Sequence, residues 1–136
     1  MNRVSNSRMM LMALAMVSAI VFASGCAMAG EKAGVNEISQ QELISSPPEN
    51  VLVLDVRSTR EFEGGHVPNA VNIPHTELAS RLAELEAESD RPIVVYCRSG
   101  HRAGLATSVL QEAGYTDLHH LTGDMMGWTA EGLPTE

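Results

Sequence analysis

Beyond the first thirty residues, two stretches of four are apolar without interruption: Val51-Leu52-Val53-Leu54 and Ile93-Val94-Val95-Tyr96. A strand with one wet face alternates apolar and polar residues. An unbroken short run bounded by turn residues belongs instead to a strand covered on both faces, as in a parallel sheet with helices on either side. The intervening segments supply those helices. Ser39-Gln40-Gln41-Glu42 and Ser58-Thr59-Arg60-Glu61 have capping-box spacing, which predicts short helices through Ile44 and Glu63, ended by Pro47-Pro48 and Gly64-Gly65. Leu78, Leu82 and Leu85 on one face, with Glu77 and Arg81 paired at i,i+4, predict a helix over Thr76 to Glu88. Another runs from near Ala103 to Ala113, with Gly114 placed to close it. Val35 to Ile38 reads as an edge strand, Val71 to Ile73 and Leu118 to Leu121 as further strands, and Met125 to Ala130 as a last helical turn or two. The alternation defines an α/β layer fold, a single domain with a mostly parallel central sheet of about five strands flanked by helices.

The N-terminal end follows a different logic. Arg3 and Arg8 precede an apolar run from Met9 to Ala23, and small residues follow, as in a bacterial-type secretory signal. The run is shorter than the roughly twenty residues that a membrane span needs. Two cuts compete. Ala23-Ser24-Gly25-Cys26 resembles a lipobox, which would make residues 1–25 the signal, Cys26 the lipidated first residue, 26–34 a tether and 35–136 the domain. Ala27-Met28-Ala29 instead fits cleavage before Gly30. The lipobox is the preferred reading, because a lone cysteine directly after small residues is otherwise poorly explained in an export signal. The expected location is the periplasmic side of the cell envelope, lipid-anchored through Cys26, or the soluble periplasm after the second cut.

Charge narrows the partners. The chain of 136 residues carries a formal charge of −8, and removing Arg3 and Arg8 with the signal leaves 7 basic against 17 acidic residues. A body this acidic excludes nucleic acid as a partner. The two cysteines, Cys26 and Cys97, form no disulfide framework, and no Cys/His cluster has zinc spacing. His119 and His120, adjacent in a strand, cannot both face one metal. No metal and no cofactor is expected, and nothing demands more than a monomer.

The second apolar run leads into Cys97-Arg98-Ser99-Gly100-His101-Arg102-Ala103-Gly104. Cys97 therefore falls in the turn between a strand and a helix, at the strand end where α/β folds place their sites. Amide groups at a helix start, flanked by Arg98 and Arg102, favour the thiolate form of a cysteine. Two arginines beside one thiol in an acidic body suit the capture of a small anion.

These residues resemble the rhodanese family of sulfurtransferases. Asp55-Val56-Arg57-Ser58-Thr59-Arg60-Glu61-Phe62-Glu63-Gly64-Gly65-His66-Val67-Pro68-Asn69-Ala70-Val71-Asn72-Ile73-Pro74 is similar to the family's signature D-V-R-x-x-x-E-[FY]-x-x-G-H-[IV]-x-[GN]-A-x-[NH]-[IL]-P over its whole length. Cys97 to Arg102 resembles the active loop C-R-x-G-x-R, and Leu121-Thr122-Gly123, Trp128 and Gly132-Leu133-Pro134 resemble the closing L-x-G-G-x-x-x-W…G-x-P. Asp124 stands where that pattern has its second glycine, which bears on the backbone shape at this rim. The resemblance covers about residues 35 to 134, a single-domain version.

The resemblance implies ping-pong covalent catalysis. Cys97 would be the nucleophile and persulfide carrier, taking sulfane sulfur from a small anionic donor such as thiosulfate and passing it to cyanide or a thiol. The amides of Arg98, Ser99, Gly100, His101, Arg102 and Ala103 would cradle the outer sulfur. Arg98 would attract the donor, Arg102 would hold the loop, and His101 reads as a loop residue rather than a base. Asp55 and Arg57 are expected to support the loop, and His66 to bond backbone. A phosphatase or arsenate reductase is disfavoured by the C-x4-R loop, one residue shorter than the phosphatase-type C-x5-R. A persulfide carrier serving a partner protein, and a non-catalytic sulfur-binding module, are the other readings.

Overall fold

The computed structural model describes residues 34–136 apart from 86 and 88. The expected signal, Cys26 and the tether as far as residue 33 lie outside the described residues. Five strands, β1 (Val35–Ile38), β2 (Leu52–Asp55), β3 (Val71–Asn72), β4 (Ile93–Tyr96) and β5 (Leu118–Leu121), form one sheet in the order β1-β5-β4-β2-β3. Every pairing is parallel. The four α-helices are α1 (Gln40–Ser45), α2 (Thr59–Glu63), α3 (His101–Glu112) and α4 (Asp124–Ala130).

The uninterrupted apolar runs become the inner strands, and their side chains divide by the period of two between the sheet's faces. Leu52, Leu54, Ile93 and Val95 pack with Ala103, Ala106 and Leu110 of α3 on one face. Val53, Val94 and Tyr96 pack with Leu43 of α1 and Met125 and Trp128 of α4 on the other. Each large apolar side chain so enclosed contributes about 1.5–3 kcal/mol. Alanines on α3 let it approach β4 closely, and only Cys97 to Gly100 separate the two in the chain.

Both capping boxes form. Ser39 and Ser58 accept from the amides of Glu42 and Glu61, whose carboxylates accept in return from the serine amides. The helix expected over Thr76 to Glu88 does not. Its described part is two 3₁₀ turns, Leu78–Ser80 and Leu82–Leu85. The bonds run i to i+3: Ser80 N–H to the Glu77 carbonyl at 3.1 Å, Arg81 to Leu78 at 3.0 Å and Glu84 to Arg81 at 3.0 Å. A 3₁₀ turn rises about 2.0 Å per residue against about 1.5 Å in an α-helix. That stretch lets both Leu78 and Leu85 reach the core. The Glu77 to Arg81 pair survives at 2.6 Å, joined by Glu84 at 2.6 Å. Helix α3 also starts earlier than expected, at His101, because Gly100 makes the turn by itself.

Candidate active site

Cys97 follows β4 directly, on the face that α3 covers. The residue is buried, 1% exposed, and its thiol is free. Gly100 adopts φ +111°, a left-handed conformation open to glycine, and this folds the chain back so that its N–H donates to Cys97 Sγ at 3.0 Å. Gly100 is the N-cap of α3 and offers no side chain to the helix. The amides of Ser99, His101 and Arg102 therefore have no protein acceptor among the described residues. One amide bonded to the sulfur, beside amides without protein acceptors at the positive end of a twelve-residue helix, is a setting for an anion.

Of the two arginines, Arg98 is exposed at the rim and Arg102 is committed. The Arg102 guanidinium grips Glu61 of α2 bidentately, Nη1 to Oε2 at 2.7 Å and Nη2 to Oε1 at 2.9 Å. That grip and the Ser58 cap hold the Glu61 carboxyl far below its usual range. His101 and Ser99 face solvent, whereas Ala103 is buried against the sheet. The loop is thus tied to α2 by one of its own cations while the other stays open to solvent.

Asp55 and Arg57 are fully engaged with each other. Arg57 donates from its backbone at 2.9 Å, from Nε at 3.1 and 3.0 Å, and from Nη2 at 2.7 Å to the Asp55 carboxylate. Nη2 also reaches the Gly65 carbonyl at 2.8 Å. Burial disfavours the Arg57 charge, but Asp55 outweighs it and holds the guanidinium above its ordinary value. Burial, and then the Asp55 carboxylate, push the Tyr96 hydroxyl well above the usual phenol range. These groups brace the end of β2 beside the site, and no hydrogen bond joins them to Cys97. His66 stacks on Phe62 at 3.6 Å and bonds the Phe62 carbonyl through Nδ1 at 2.9 Å.

The structure adds two residues that sequence reasoning did not single out for the site's electrostatics. Asp124 is 2% exposed, and its Oδ1 accepts the Cys97 N–H at 3.0 Å. With φ +51° its backbone lies in the left-handed region that favours glycine. His120, on the opposite side of β5 from His119, directs Nε2 at Asp124 at 3.1 and 3.0 Å. The signal was present in the departure at position 124: a carboxylate in a glycine position must find a buried partner, and His120 lies four residues before it. Among the described residues no three His, Cys, Asp or Glu side chains are grouped to hold a metal ion.

A doubly covered parallel sheet with a cysteine loop at the end of its central strand defines an α/β domain that places a thiol against a helix start. The Rhodanese-like domain model matches residues 39–131, and the chain belongs to that family. It is 35% identical to a sulfurtransferase of Allochromatium vinosum, over 74% of this chain and 94% of that protein. It is 34% identical to the thiosulfate sulfurtransferase PspE of Escherichia coli, over 52% of this chain and 67% of that one. The crystal structure of a rhodanese-related protein from Thermoplasma volcanium is similar at 29% identity with a TM-score of 0.64, covering 74% of this chain and 97% of that chain. Some relatives are much longer: the chain spans 38% of an HTH-type transcriptional regulator of Mycobacterium tuberculosis. Family and relatives together support sulfur transfer as the general activity.

Proposed function

We propose that the protein moves a sulfane sulfur from a small anionic donor to a thiophilic acceptor through a persulfide on Cys97. In the first half-reaction the Cys97 thiolate attacks the outer sulfur of thiosulfate. The new S–S bond forms as the donor's S–S bond breaks, and sulfite leaves with the electron pair. In the second, cyanide or a thiolate attacks the outer sulfur, and Cys97 departs as thiolate. The observation that carries this reading is the Gly100 N–H at 3.0 Å from Sγ, under a helix start whose neighbouring amides lack protein acceptors. A persulfide places its outer sulfur about 2.05 Å beyond Sγ, toward those amides. Arg98, open at the rim, supplies attraction for the donor.

The test is mass spectrometry of the protein after thiosulfate, alongside thiocyanate formation from cyanide. A gain of about 32 Da on the Cys97 peptide, absent in Cys97→Ser, is expected. No adduct and no thiocyanate would overturn the proposal, and release of phosphate from a small aryl phosphate would favour phosphoryl chemistry. Export belongs to the same proposal and rests on residues 1–29 alone. Cys26→Ser should move the protein from the membrane to the soluble fraction; solubility of both forms would remove the lipid anchor.

A further inference from the structure

Asp124 brings a buried negative charge to a site that otherwise favours anions. Its Oδ1 holds the Cys97 amide at 3.0 Å. A Cβ built on Gly100 would meet Asp124 Oδ2 at 3.3 Å and His120 Cε1 at 3.6 Å, so carboxylate and imidazole pack directly under the loop. On the far side of the ring, His120 Nδ1 faces Glu37 Oε1 of β1 at 3.3 Å. The charged groups around His120 are therefore two carboxylates, Asp124 from α4 and Glu37 from β1. β4 contributes Val95 in register, and the loop contributes the Gly100 backbone.

We propose that His120 and Asp124 are a proton-linked positioning pair that sets how readily an anion reaches Cys97. Asp124 accepts the Cys97 N–H in either state. With His120 protonated the carboxylate is neutralised, and the loop presents its amides and Arg98 to an incoming anion without opposition. With His120 neutral, one uncompensated charge lies beneath the ring. Such a charge beside a partly wet site lowers the local concentration of an anion by about three- to tenfold. Burial disfavours the imidazolium, but Asp124 and then Glu37 outweigh it and hold His120 above the ordinary imidazole range. The change of charge accordingly falls above about pH 6.5. The proposal deepens the sulfur-transfer reading by naming what selects the donor's charge, and its test needs no turnover.

The full chain is alkylated with iodoacetate and, separately, with iodoacetamide across about pH 5.5 to 9. Modification is scored on the Cys97 peptide, which also separates it from Cys26. The ratio of the two rate constants cancels the thiolate fraction and reads only the preference for an anion. In the unaltered protein the ratio should fall about three- to tenfold as His120 loses its proton. His120→Gln should hold the ratio low and flat, because the carboxylate is bare at every pH. Asp124→Asn, which keeps an acceptor for the Cys97 amide, should keep the ratio high at alkaline pH, because no bare carboxylate then lies beneath the loop. His101→Gln, removing the exposed imidazole of the loop, should leave the step in place. A flat ratio in the unaltered protein, or a step that survives His120→Gln and vanishes in His101→Gln, overturns the pair. If Asp124→Asn does not fold, the His120 and His101 variants decide alone. A missing persulfide would sink the transfer reading and leave this outcome untouched.

Discussion

Tyr96 and Asp55 are register partners on neighbouring strands, and the Tyr96 hydroxyl donates to Asp55 Oδ2 at 2.7 Å. The same hydroxyl accepts the Val67 N–H at 3.1 Å, so a single oxygen joins β4, β2 and the segment after α2. Asp55 also neutralises the buried Arg57, and Asn72 bonds the Asp55 and Arg57 carbonyls, each at 3.0 Å. Removing one partner of a buried pair strands the other charge, which costs about 3–5 kcal/mol, whereas losing one hydroxyl costs about 1–2 kcal/mol. Urea denaturation should therefore rank Asp55→Asn well below Tyr96→Phe in stability. Equal losses would mean that the carboxylate is not the centre of this network.

Arg102 and Glu61 tie the Cys97 loop to α2, and a fork is needed to do it. The pair is partly exposed, 26% and 33% at the side chains, so its stabilisation is about 1 kcal/mol or less. Arg102→Lys should lower stability by no more than that, yet lower the proposed sulfur transfer from thiosulfate about tenfold by loosening the loop. Glu61 has a depressed folded value, so its contribution is whole above the unfolded carboxylate value of about 4.3 and is lost as pH falls further. Glu61→Gln should accordingly narrow the stability difference between about pH 5 and pH 2.5. A difference that widened would reverse the assigned sign.

Gly100 serves the ring through its backbone. At φ +111° an alanine is strained, and its Cβ would crowd Asp124 Oδ2 at 3.3 Å. Gly100→Ala should cost about 1–3 kcal/mol and remove the N–H from Sγ. Differential scanning calorimetry and persulfide yield should fall together. Retention of full persulfide yield would show that this amide is dispensable.

What the sequence made legible was whatever depends on local chemistry. Two unbroken apolar runs announced a doubly covered sheet, both serines with glutamate three residues on became capping boxes, and Cys97 fell at the end of β4. The segment after Pro74 was misread because Leu78, Leu82 and Leu85 fit a helical stripe, whereas the distance those leucines must span inside the core selects 3₁₀ turns. The role of His120 is only partly legible, for a related reason. Its partners Glu37 and Asp124 come from β1 and α4, and only the parallel pairing of β1 with β5 brings Glu37 opposite it. Pairing across a sheet leaves no trace in spacing along the chain.

Gly127 lies inside α4, where glycine is a poor helix former, and the reason is a neighbour. A Cβ there would come within 2.6 Å of Gln40 Nε2, the end of a side chain that donates to the Thr122 carbonyl at 3.3 Å. Gly127→Ala alone should be neutral or mildly destabilising as Gln40 is pushed aside. Combined with Gln40→Ala, it should gain about 0.5–1 kcal/mol over Gln40→Ala by itself, through helix propensity. Thermal melts of the three variants would show this, and no gain in the double variant would place the constraint elsewhere.

The His120 pair also has a signature in stability. The folded protein holds this proton to higher pH than the unfolded chain does. Its contribution is thus whole below the unfolded imidazole value of about 6.5 and disappears as pH rises through the folded one. The difference in Tm between the unaltered protein and His120→Gln should be largest near pH 5.5 and shrink toward pH 8.5, by about one step. Asp124→Asn should weaken that trend, since the imidazole then keeps only Glu37, on its Nδ1 side, as a charge partner. The same melts in His119→Gln serve as the comparison, because His119 turns the other way and pairs with Asp117 at 2.7 Å. A Tm difference that stayed constant with pH, or grew as pH rose, would mean that His120 is neutral in the folded protein and that Asp124 is satisfied by the Cys97 amide alone.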